Sequence, residues 1–406
     1  MYYPEHKSVW SAILTLSICL LGSSCAKAFP SSSKENELAV ELIFLFNLDR
    51  TGICYQDHLT VIQPSNWPLV QREIRAQIAR GQSATETVSV FGPAAPGSNA
   101  HFAATLAPSG KVYLGADNNP SYRIIDPSSN TVTIYASSTG GTGGGALSLN
   151  EKIYYAPWGN TAYQFTNTTN NSLGVLGPTA GGAFAYASAI QAPNGKIYLL
   201  PYNNQPYQYI DPSNDTVTTF AAASGVNAYR GGVLGPNGKI YLVPFNNTSY
   251  RYIDTTNNTV NTFGPAAPGS GAYVGGVLSP NGRIYLVPYG NTAYRYIDTS
   301  NDTIGTFGPA APGGGAYSGG VLAPNGRIYL VPDSAAAYRY IDTTDDSVGT
   351  FGPAAPGGGA HIGGVLAFNG NIYLASANNT AYRYIQPNAR GNFCSPIALS
   401  GYFNKF

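Results

Sequence analysis

The sequence predicts an all-β fold, a seven-bladed β-propeller with four-stranded antiparallel blades, closed by an N-terminal strand and preceded by a short helical segment. Three observations support this prediction: a unit that recurs about every 44 residues, four strand-like pieces within each unit, and a first outer strand that stands apart from its own unit. Four strands in a unit of about 40–50 residues are typical of propeller blades.

The repeat is counted on the turn between its first two strands. The second turn residues of the seven copies are 41, 44, 43, 44, 44 and 44 positions apart. Each unit has a piece a (GGVLSP), an Asn-Gly turn, a piece b (RIYLVP), a piece c (AYRYID) and a piece d (TIGTF). Asn-Gly is a strong hairpin signal, and we expect positive φ at both of its residues. The turns are Ser109-Gly110, Asn150-Glu151, Asn194-Gly195, Asn237-Gly238, Asn281-Gly282, Asn325-Gly326 and Asn369-Gly370.

The two ends of the repeat array predict a closed ring. The first copy of piece d, Thr87–Phe91, precedes every other piece, whereas the last unit has pieces a, b and c but no d. In a ring, Thr87–Phe91 becomes the outer strand of the last blade and pairs with residues 382–386, which removes two exposed sheet edges. The predicted propeller spans residues 83–388, followed by a C-terminal tail, 389–406.

The N-terminus reads as an export signal, residues 1–25. The apolar run SVWSAILTLSICLLGSSC has signal-peptide length and is too short to be a convincing membrane span. Two processing sites remain open: a relaxed lipobox that would lipidate Cys25, and an ordinary cleavage site at Ala26-Lys27-Ala28. Residues 26–34 then form a flexible tether.

Residues 35–82 predict a helical segment that braces the ring. NELAVELIFLFNLDR is apolar at helical spacing, and in NWPLVQREIRAQIARG Pro68 stands near a helix start and Gly81 at its end. In an oxidising compartment Cys54 and Cys394, one before and one after the repeats, would form a disulfide. The alternative is two unpaired buried thiols.

Strand c carries a repeated polar position in mid-strand. We expect inter-blade hydrogen bonds and aromatic stacking to satisfy these side chains, in preference to an anionic ligand. They are Arg123, Gln164, Gln208, Arg251, Arg295, Arg339 and Arg383.

The pattern PNGKIYLVP…YRYIDTTNNTVNTF resembles the YVTN/surface-layer type of propeller repeat over residues 87–386. In this chain IYLVP stands where that family has its Tyr-Val-Thr-Asn core. The resemblance implies the propeller fold. It leaves function open, because such propellers include surface proteins, binding scaffolds and a few lyases.

One register position gives a ring of candidate ligand-binding residues. It opens strand a on the face that carries the d–a and b–c loops, where propeller ligands usually meet the central channel. Tyr and His combine an apolar face with a hydrogen-bonding tip, as recognition surfaces often do. The alternative is that each side chain packs between neighbouring blades. The position is occupied by His101, Thr142, Tyr186, Tyr229, Tyr273, Tyr317 and His361, and all but Thr142 are candidates.

Four departures from the consensus are the candidates for catalysis. His101 and His361 belong to the first and last blades, and Asp117 and Asp333 stand on b–c loops where four other units have aromatic residues. Two histidines and two carboxylates over blades six, seven and one could act as acid and base or hold a metal. Drift of the end repeats is the competing explanation, so we assign no catalytic residue and no metal site.

Composition narrows the function classes. A net charge of +1 gives no electrostatic footprint for nucleic acid, and the chain has no catalytic or nucleotide-binding motif. The favoured hypothesis is an exported, non-enzymatic binding or adhesion module without a cofactor, which presents propeller loops to a protein or glycan in the cell envelope or outside it. Membrane contact would come only through a lipid at Cys25. The alternatives are a propeller-type lyase or lactonase and an architectural envelope protein.

Overall fold

The computed structural model describes residues 67–79, 85–119, 121–137, 140–223 and 225–387. Their strands form seven four-stranded antiparallel sheets, which confirms the predicted seven-bladed propeller. The signal peptide, the tether, the first predicted helix and the C-terminal tail lie outside the described residues, as do Cys25, Cys54 and Cys394.

In each blade the strands follow one another from the inner strand a to the outer strand d. Blade 1 comprises β2 His101–Leu106, β3 Val112–Ala116, β4 Ser121–Asp126 and β5 Thr131–Ser137; blade 2 comprises β6 Thr142–Leu147, β7 Lys152–Pro157, β8 Tyr163–Asn167 and β9 Ser172–Leu176. Blade 3 comprises β10 Tyr186–Gln191, β11 Ile197–Pro201, β12 Tyr207–Asp211 and β13 Thr216–Ala221; blade 4 comprises β14 Tyr229–Leu234, β15 Lys239–Pro244, β16 Ser249–Asp254 and β17 Thr259–Ala266. Blade 5 comprises β18 Tyr273–Leu278, β19 Arg283–Pro288, β20 Tyr294–Asp298 and β21 Thr303–Phe307; blade 6 comprises β22 Tyr317–Leu322, β23 Arg327–Pro332, β24 Ala337–Asp342 and β25 Ser347–Ala354. Blade 7 comprises β26 His361–Leu366, β27 Ile372–Ser376, β28 Ala381–Gln386 and, as its outer strand, β1 Thr87–Ala94.

The ring closes through β1, as the offset of piece d predicts. Strand β1 pairs antiparallel with β28, with Thr87 opposite Gln386 and Phe91 opposite Tyr382. The inner strands β2 and β26 of the first and last blades also contact each other. Both edges that an open array would expose are therefore paired.

The Asn-Gly turns differ from the expectation in one respect. The glycine has positive φ, +80° at Gly238 and +82° at Gly282, whereas the preceding Asn does not. The Gly238 amide donates to the Gly235 carbonyl, and the Lys239 amide donates to Oδ1 of Asn237. The loop is thus longer than two residues, a type I turn followed by a left-handed glycine, so a single residue needs positive φ.

A ladder of polar contacts along strand c joins each blade to the next, as predicted for the mid-strand Arg and Gln side chains. Tyr163 donates to Oε1 of Gln208 at 2.6 Å, and Arg295 Nη1 donates to the Tyr250 hydroxyl at 3.3 Å. In the same register Tyr122 donates to Oε1 of Gln164 and, across the closure, Arg123 donates to the Tyr382 hydroxyl. The side chains of Tyr207–Arg251, Tyr294–Arg339 and Tyr338–Arg383 lie near each other in that register, and the hydroxyls of Tyr294 and Tyr338 form no hydrogen bond with a described residue.

A second ladder lies on the opposite face, where the a–b turns and c–d loops are. The strand-b tyrosine of each blade donates to the residue that precedes strand d of the next blade. These pairs are Tyr113–Asn171, Tyr154–Asp215, Tyr198–Asn258, Tyr241–Asp302, Tyr285–Asp346, Tyr329–Glu86 and Tyr373–Asn130.

One helix, α1 (Trp67–Ala79), packs against this second face, near the a–b turns of blades 5 and 6. Ile74 is fully buried, and the side chains of Gln71 and Arg75 donate to the carbonyl of Pro280. Ile78 lies against Gly326. The second predicted helix is thus confirmed as α1. Helix α1 does not cover the face that carries the d–a and b–c loops. Within the described residues no helix is long and apolar enough to cross a membrane.

Candidate functional site

The predicted ring of Tyr and His residues occupies the first position of all seven inner strands, and every member is at most 1% exposed. The side chains enter the contacts between blades. Tyr186, for example, donates to Oε1 of Gln208 at 2.7 Å, and the same oxygen accepts from Tyr163 of the preceding blade. The geometry thus gives these residues an inter-blade role, and ligand contact through them stays a prediction.

The two histidines of this ring are uncharged at neutral pH. Burial, aided by the nearby Arg123, lowers the pKa of His101 to about 4. Burial, aided by Arg383, lowers the pKa of His361 to about 3. His101 Nε2 lies 3.3 Å from the Tyr382 hydroxyl, so it belongs to the seam between the first and last blades.

The two carboxylates occupy a different environment, on the b–c loops directly after β3 and β23 and within electrostatic range of Arg230. Burial raises the pKa of both Asp117 and Asp333 to about 6, and the nearby Arg230 opposes that rise. Among the described residues no three His, Cys, Asp or Glu side chains are grouped to hold a metal. The predicted His–Asp cluster therefore divides into inter-blade histidines and carboxylates grouped around Arg230.

Arg230 is the functional candidate that the sequence analysis missed. It is the second residue of inner strand β14, one position after the predicted ring. Its Cζ lies 5.8 Å from the ring centroid of Phe102, 5.7 Å from that of Phe245 and 5.7 Å from that of Tyr289. Phe102 belongs to blade 1, whereas the other three residues belong to blades 4 and 5. Side chains from such distant blades meet only on the propeller axis.

The aromatic side chains around Arg230 form a continuous arc. They are the first residues after strand b in four consecutive blades, together with Phe102 of strand β2. Neighbouring ring centroids are 4.8 Å apart for Phe102–Trp158, 4.9 Å for Trp158–Tyr202, 6.0 Å for Tyr202–Phe245 and 5.8 Å for Phe245–Tyr289. We call Phe102, Trp158, Tyr202, Arg230, Phe245 and Tyr289 the axial cluster. Asp117 and Asp333 take the position after strand b in blades 1 and 6.

Polar groups of the site are left without protein partners in the described part of the chain. The Arg230 Nε is buried without a hydrogen bond, and the Arg230 guanidinium forms no ion pair closer than 4 Å with a described residue. The strand-c arginines also have an Nε without a hydrogen bond, but each of them lies beside a tyrosine hydroxyl, whereas the contacts of Arg230 are with aromatic ring faces. A guanidinium in such surroundings favours a ligand with acceptor oxygens.

Phe184 extends the aromatic surface outward. It lies in the loop before β10, is 46% exposed, and its ring centroid is 5.0 Å from that of Trp158. Its backbone is left-handed, with φ at +56°, a conformation that costs a bulky side chain about 1 kcal/mol. An exposed aromatic residue held in a strained conformation is typical of a binding surface.

A simple alignment of the repeats could have indicated part of this site. The second position of strand a carries a charge in one blade only, at Arg230. Its occupants are Phe102, Gly143, Ala187, Arg230, Val274, Ser318 and Ile362. That these residues meet on the axis is visible only in the structure.

Comparisons with protein families and with curated proteins found no relative. No protein-family model matches the chain, and no curated protein matches it. The predicted membership of the YVTN/surface-layer type therefore stays a prediction.

Several solved structures share the architecture. The virginiamycin B lyase of Staphylococcus aureus superimposes with a TM-score of 0.63 at 13% identity, over 74% of this chain and 99% of that one. A catalytically inactive His-to-Ala variant of the same lyase with quinupristin gives 0.62 at 14%, over 74% and 99%. Hydrazine synthase of Kuenenia stuttgartiensis gives 0.57 at 12%, over 72% and 97%. At such identities the likeness shows that this chain has a β-propeller fold.

Proposed function

We propose that this protein is an exported, non-enzymatic binding module that takes a glycan at the mouth of its central channel. The observation that supports the proposal most directly is the axial cluster, a partly exposed arc of aromatic rings around an unpartnered guanidinium. Sugar rings stack their C–H faces on aromatic side chains, and their hydroxyl groups need acceptors and donors nearby. Asp117, Asp333 and Arg230 supply both.

The composition of the site favours a glycan over a protein partner. A stable protein interface buries about 800 Å² on each side and has an apolar centre. The axial cluster instead combines five aromatic rings with one guanidinium, which suits a small ligand with a few fixed polar contacts. Export rests on the N-terminal apolar segment of the sequence. We also propose the domain boundaries that the sequence predicts, with the propeller over residues 83–388.

The lyase alternative has less support from the geometry. A general base must reach its substrate, and both His101 and His361 are fully buried. The similarity to lyases lies in the fold, which hosts many activities. An architectural role without a ligand would leave the three charged side chains at the channel mouth unexplained.

The test uses Phe184, since its two properties predict effects of opposite sign. Phe184→Asn relieves the left-handed strain, so we expect the free energy of unfolding to stay equal or rise by up to about 1 kcal/mol. The same change removes an exposed stacking surface, so we expect glycan affinity to fall about tenfold. A glycan array identifies the ligand, and titration followed by Trp158 fluorescence in a Trp10→Phe/Trp67→Phe background measures the affinity.

The matched control is Ile134→Thr, which removes an exposed apolar side chain from the outer strand of blade 1. Blades 3 to 6 already have Thr at the equivalent position. We expect unchanged affinity for this variant. An array without any glycan signal, or equal loss of affinity in both variants, would contradict the proposal. Capture of a protein that is blocked by Phe184→Asn would assign the site to a protein partner instead.

A further inference from the structure

We propose that the channel mouth selects glycans that carry a carboxylate, a uronic or sialic acid, with Arg230 as the residue that binds the carboxylate. This inference rests on the proposed glycan-binding function and adds the class of sugar. It is carried by the position, surroundings and free donors of one side chain.

Among the described residues, Arg230 is the basic residue that the inner strands and the loops of this face provide. The seven inner strands contain no other Lys or Arg, and neither do the d–a and b–c loops. Those loops contain two acidic residues, Asp117 and Asp333. In the part of the chain that the structure describes, a single Lys or Arg side chain thus lies on the axis of this face, where its neighbours are aromatic rings.

The geometry leaves the guanidinium ready for an oxygen ligand. Its three aromatic neighbours are at nearly equal centroid distances of 5.7–5.8 Å, near the outer limit of a cation–π contact, so none of them stacks closely on it. Nε is buried and without a hydrogen bond. A planar guanidinium binds a carboxylate through two parallel hydrogen bonds, and this pairing is stronger where the surroundings are apolar.

The two carboxylates complete the recognition of an acidic sugar. No described residue forms a hydrogen bond or ion pair with the side chain of Asp117 or Asp333, so their oxygens can accept bonds from sugar hydroxyl groups. Each carboxylate lies beside a glycine. A β-carbon at Gly159 would approach Asp117 Oδ1, and a β-carbon at Gly359 would approach Asp333 Oδ1. One sugar would then have its carboxylate on Arg230, hydroxyl groups on an aspartate, and a C–H face on the arc.

The site charge makes the selectivity depend on pH. The titratable groups around Arg230 are Asp117, Asp333, Tyr202 and Tyr289. At pH 7.5 both carboxyls are ionised, and the three charged groups sum to −1. Because burial raises the pKa of both carboxyls to about 6, at pH 5 both are largely protonated and the sum becomes +1. A uronate stays ionised over this range, so we expect it to bind more tightly at pH 5.

The experiment compares oligosaccharides of galacturonic acid, glucuronic acid and N-acetylneuraminic acid with their methyl esters, on the full-length protein. We expect at least one acid to bind tenfold or more tightly than its ester, with a larger ratio at pH 5 than at pH 7.5. In Arg230→Gln the ratio falls to about one at both pH values, because the acid loses far more affinity than the ester, which loses only the weaker contact between Arg230 and its hydroxyl groups. Arg230→Lys retains part of the preference, because it keeps the charge and loses the two-bond geometry.

Two results separate this inference from the proposed function. The carboxylate inference is wrong, and glycan binding stands, if the esters bind at the axial cluster as tightly as the acids. The same conclusion follows if Arg230→Gln keeps the preference for the acids. If neither acids nor esters bind, and neutral glycans also fail, both proposals are wrong. Circular dichroism of Arg230→Gln confirms that the fold is retained in each case.

Discussion

At the scale of single residues, Asp117 and Asp333 occupy positions that four other blades fill with aromatic rings. Each carboxyl is half-buried, and burial raises its pKa to about 6, with Arg230 giving only partial compensation. The ionised form is therefore less stable in the folded protein than in the unfolded chain. A residue that destabilises its own fold at neutral pH is typical of a functional site.

This cost can be measured as a pH-dependent stability. For a carboxyl whose folded-state pKa is raised, the contribution to stability is complete below the unfolded value of 3.8 and is lost as the pH rises through about 6. We expect Asp117→Asn/Asp333→Asn to be about 2 kcal/mol more stable than the unchanged protein at pH 7.5, after allowance for solvent screening, and equally stable at about pH 3, below the unfolded pKa. Denaturant unfolding from about pH 3 to pH 7.5 measures this difference. A constant difference across that range would contradict the assignment of the two groups.

At the scale of elements, strand c stabilises each blade against its neighbour. Its tyrosine meets an Arg or Gln of the next blade at all seven interfaces, including the seam. Gln replaces Arg in blades 2 and 3, and the tyrosine then becomes the donor. The ladder therefore needs a polar partner of the right length more than it needs a charge.

Removing one hydroxyl of this ladder tests its contribution. Tyr250→Phe leaves Arg295 Nη1 without its acceptor, and we expect the free energy of unfolding to fall by about 1–2 kcal/mol, because a partly buried charged donor is left unsatisfied. Tyr384→Phe is the control, since its hydroxyl forms no hydrogen bond with another described residue, and it should change stability by less than about 0.5 kcal/mol. Chemical denaturation measures both. Equal effects would assign the loss to something other than the ladder.

In the molecule as a whole, Glu86 completes the ring at the junction between the first and last repeats. It precedes β1 and takes the place that Asp215, Asp302 and Asp346 have in other blades. Its carboxylate accepts from Arg327 and from the Tyr329 hydroxyl of blade 6. Blade 7, which combines the two ends of the repeat array, is thus held to blade 6 by the same kind of contacts that join the other blades.

Loss of this contact should loosen the closure selectively. We expect Glu86→Ala to lower the free energy of unfolding by about 2–3 kcal/mol, because a mostly buried ion pair is broken while Arg327 keeps Asp342. Hydrogen exchange of the β1 amides should accelerate, since β1 is an outer strand and pairs with a single neighbour, β28.

The matched control is Asp302→Ala. It breaks the equivalent contacts with Lys239 and Tyr241 in the middle of the chain. We expect a comparable loss of stability with unchanged exchange in β1. Exchange in β1 that responds equally to both variants would show that the closure has no special dependence on Glu86.

Much of this architecture could be predicted from the sequence because it is encoded locally. A turn about every 44 positions indicates the number of blades. The early position of the segment Thr87–Phe91 indicates how the ring closes, since strand pairing follows from pattern and register. The same alignment placed His101 and His361 correctly at the start of inner strands. It could not show that both are fully buried, because the period gives a residue's register and leaves its radial direction open.

The number of blades, their order and the closure of the ring thus follow from the local sequence pattern. Which side chains meet on the axis follows only from the folded ring. Arg230 and Phe102 share the second position of strand a but are 128 positions and three blades apart, and they become neighbours because closure of the ring brings the second residues of distant inner strands together. That convergence depends on the shape of the whole ring, and it sets the candidate site there.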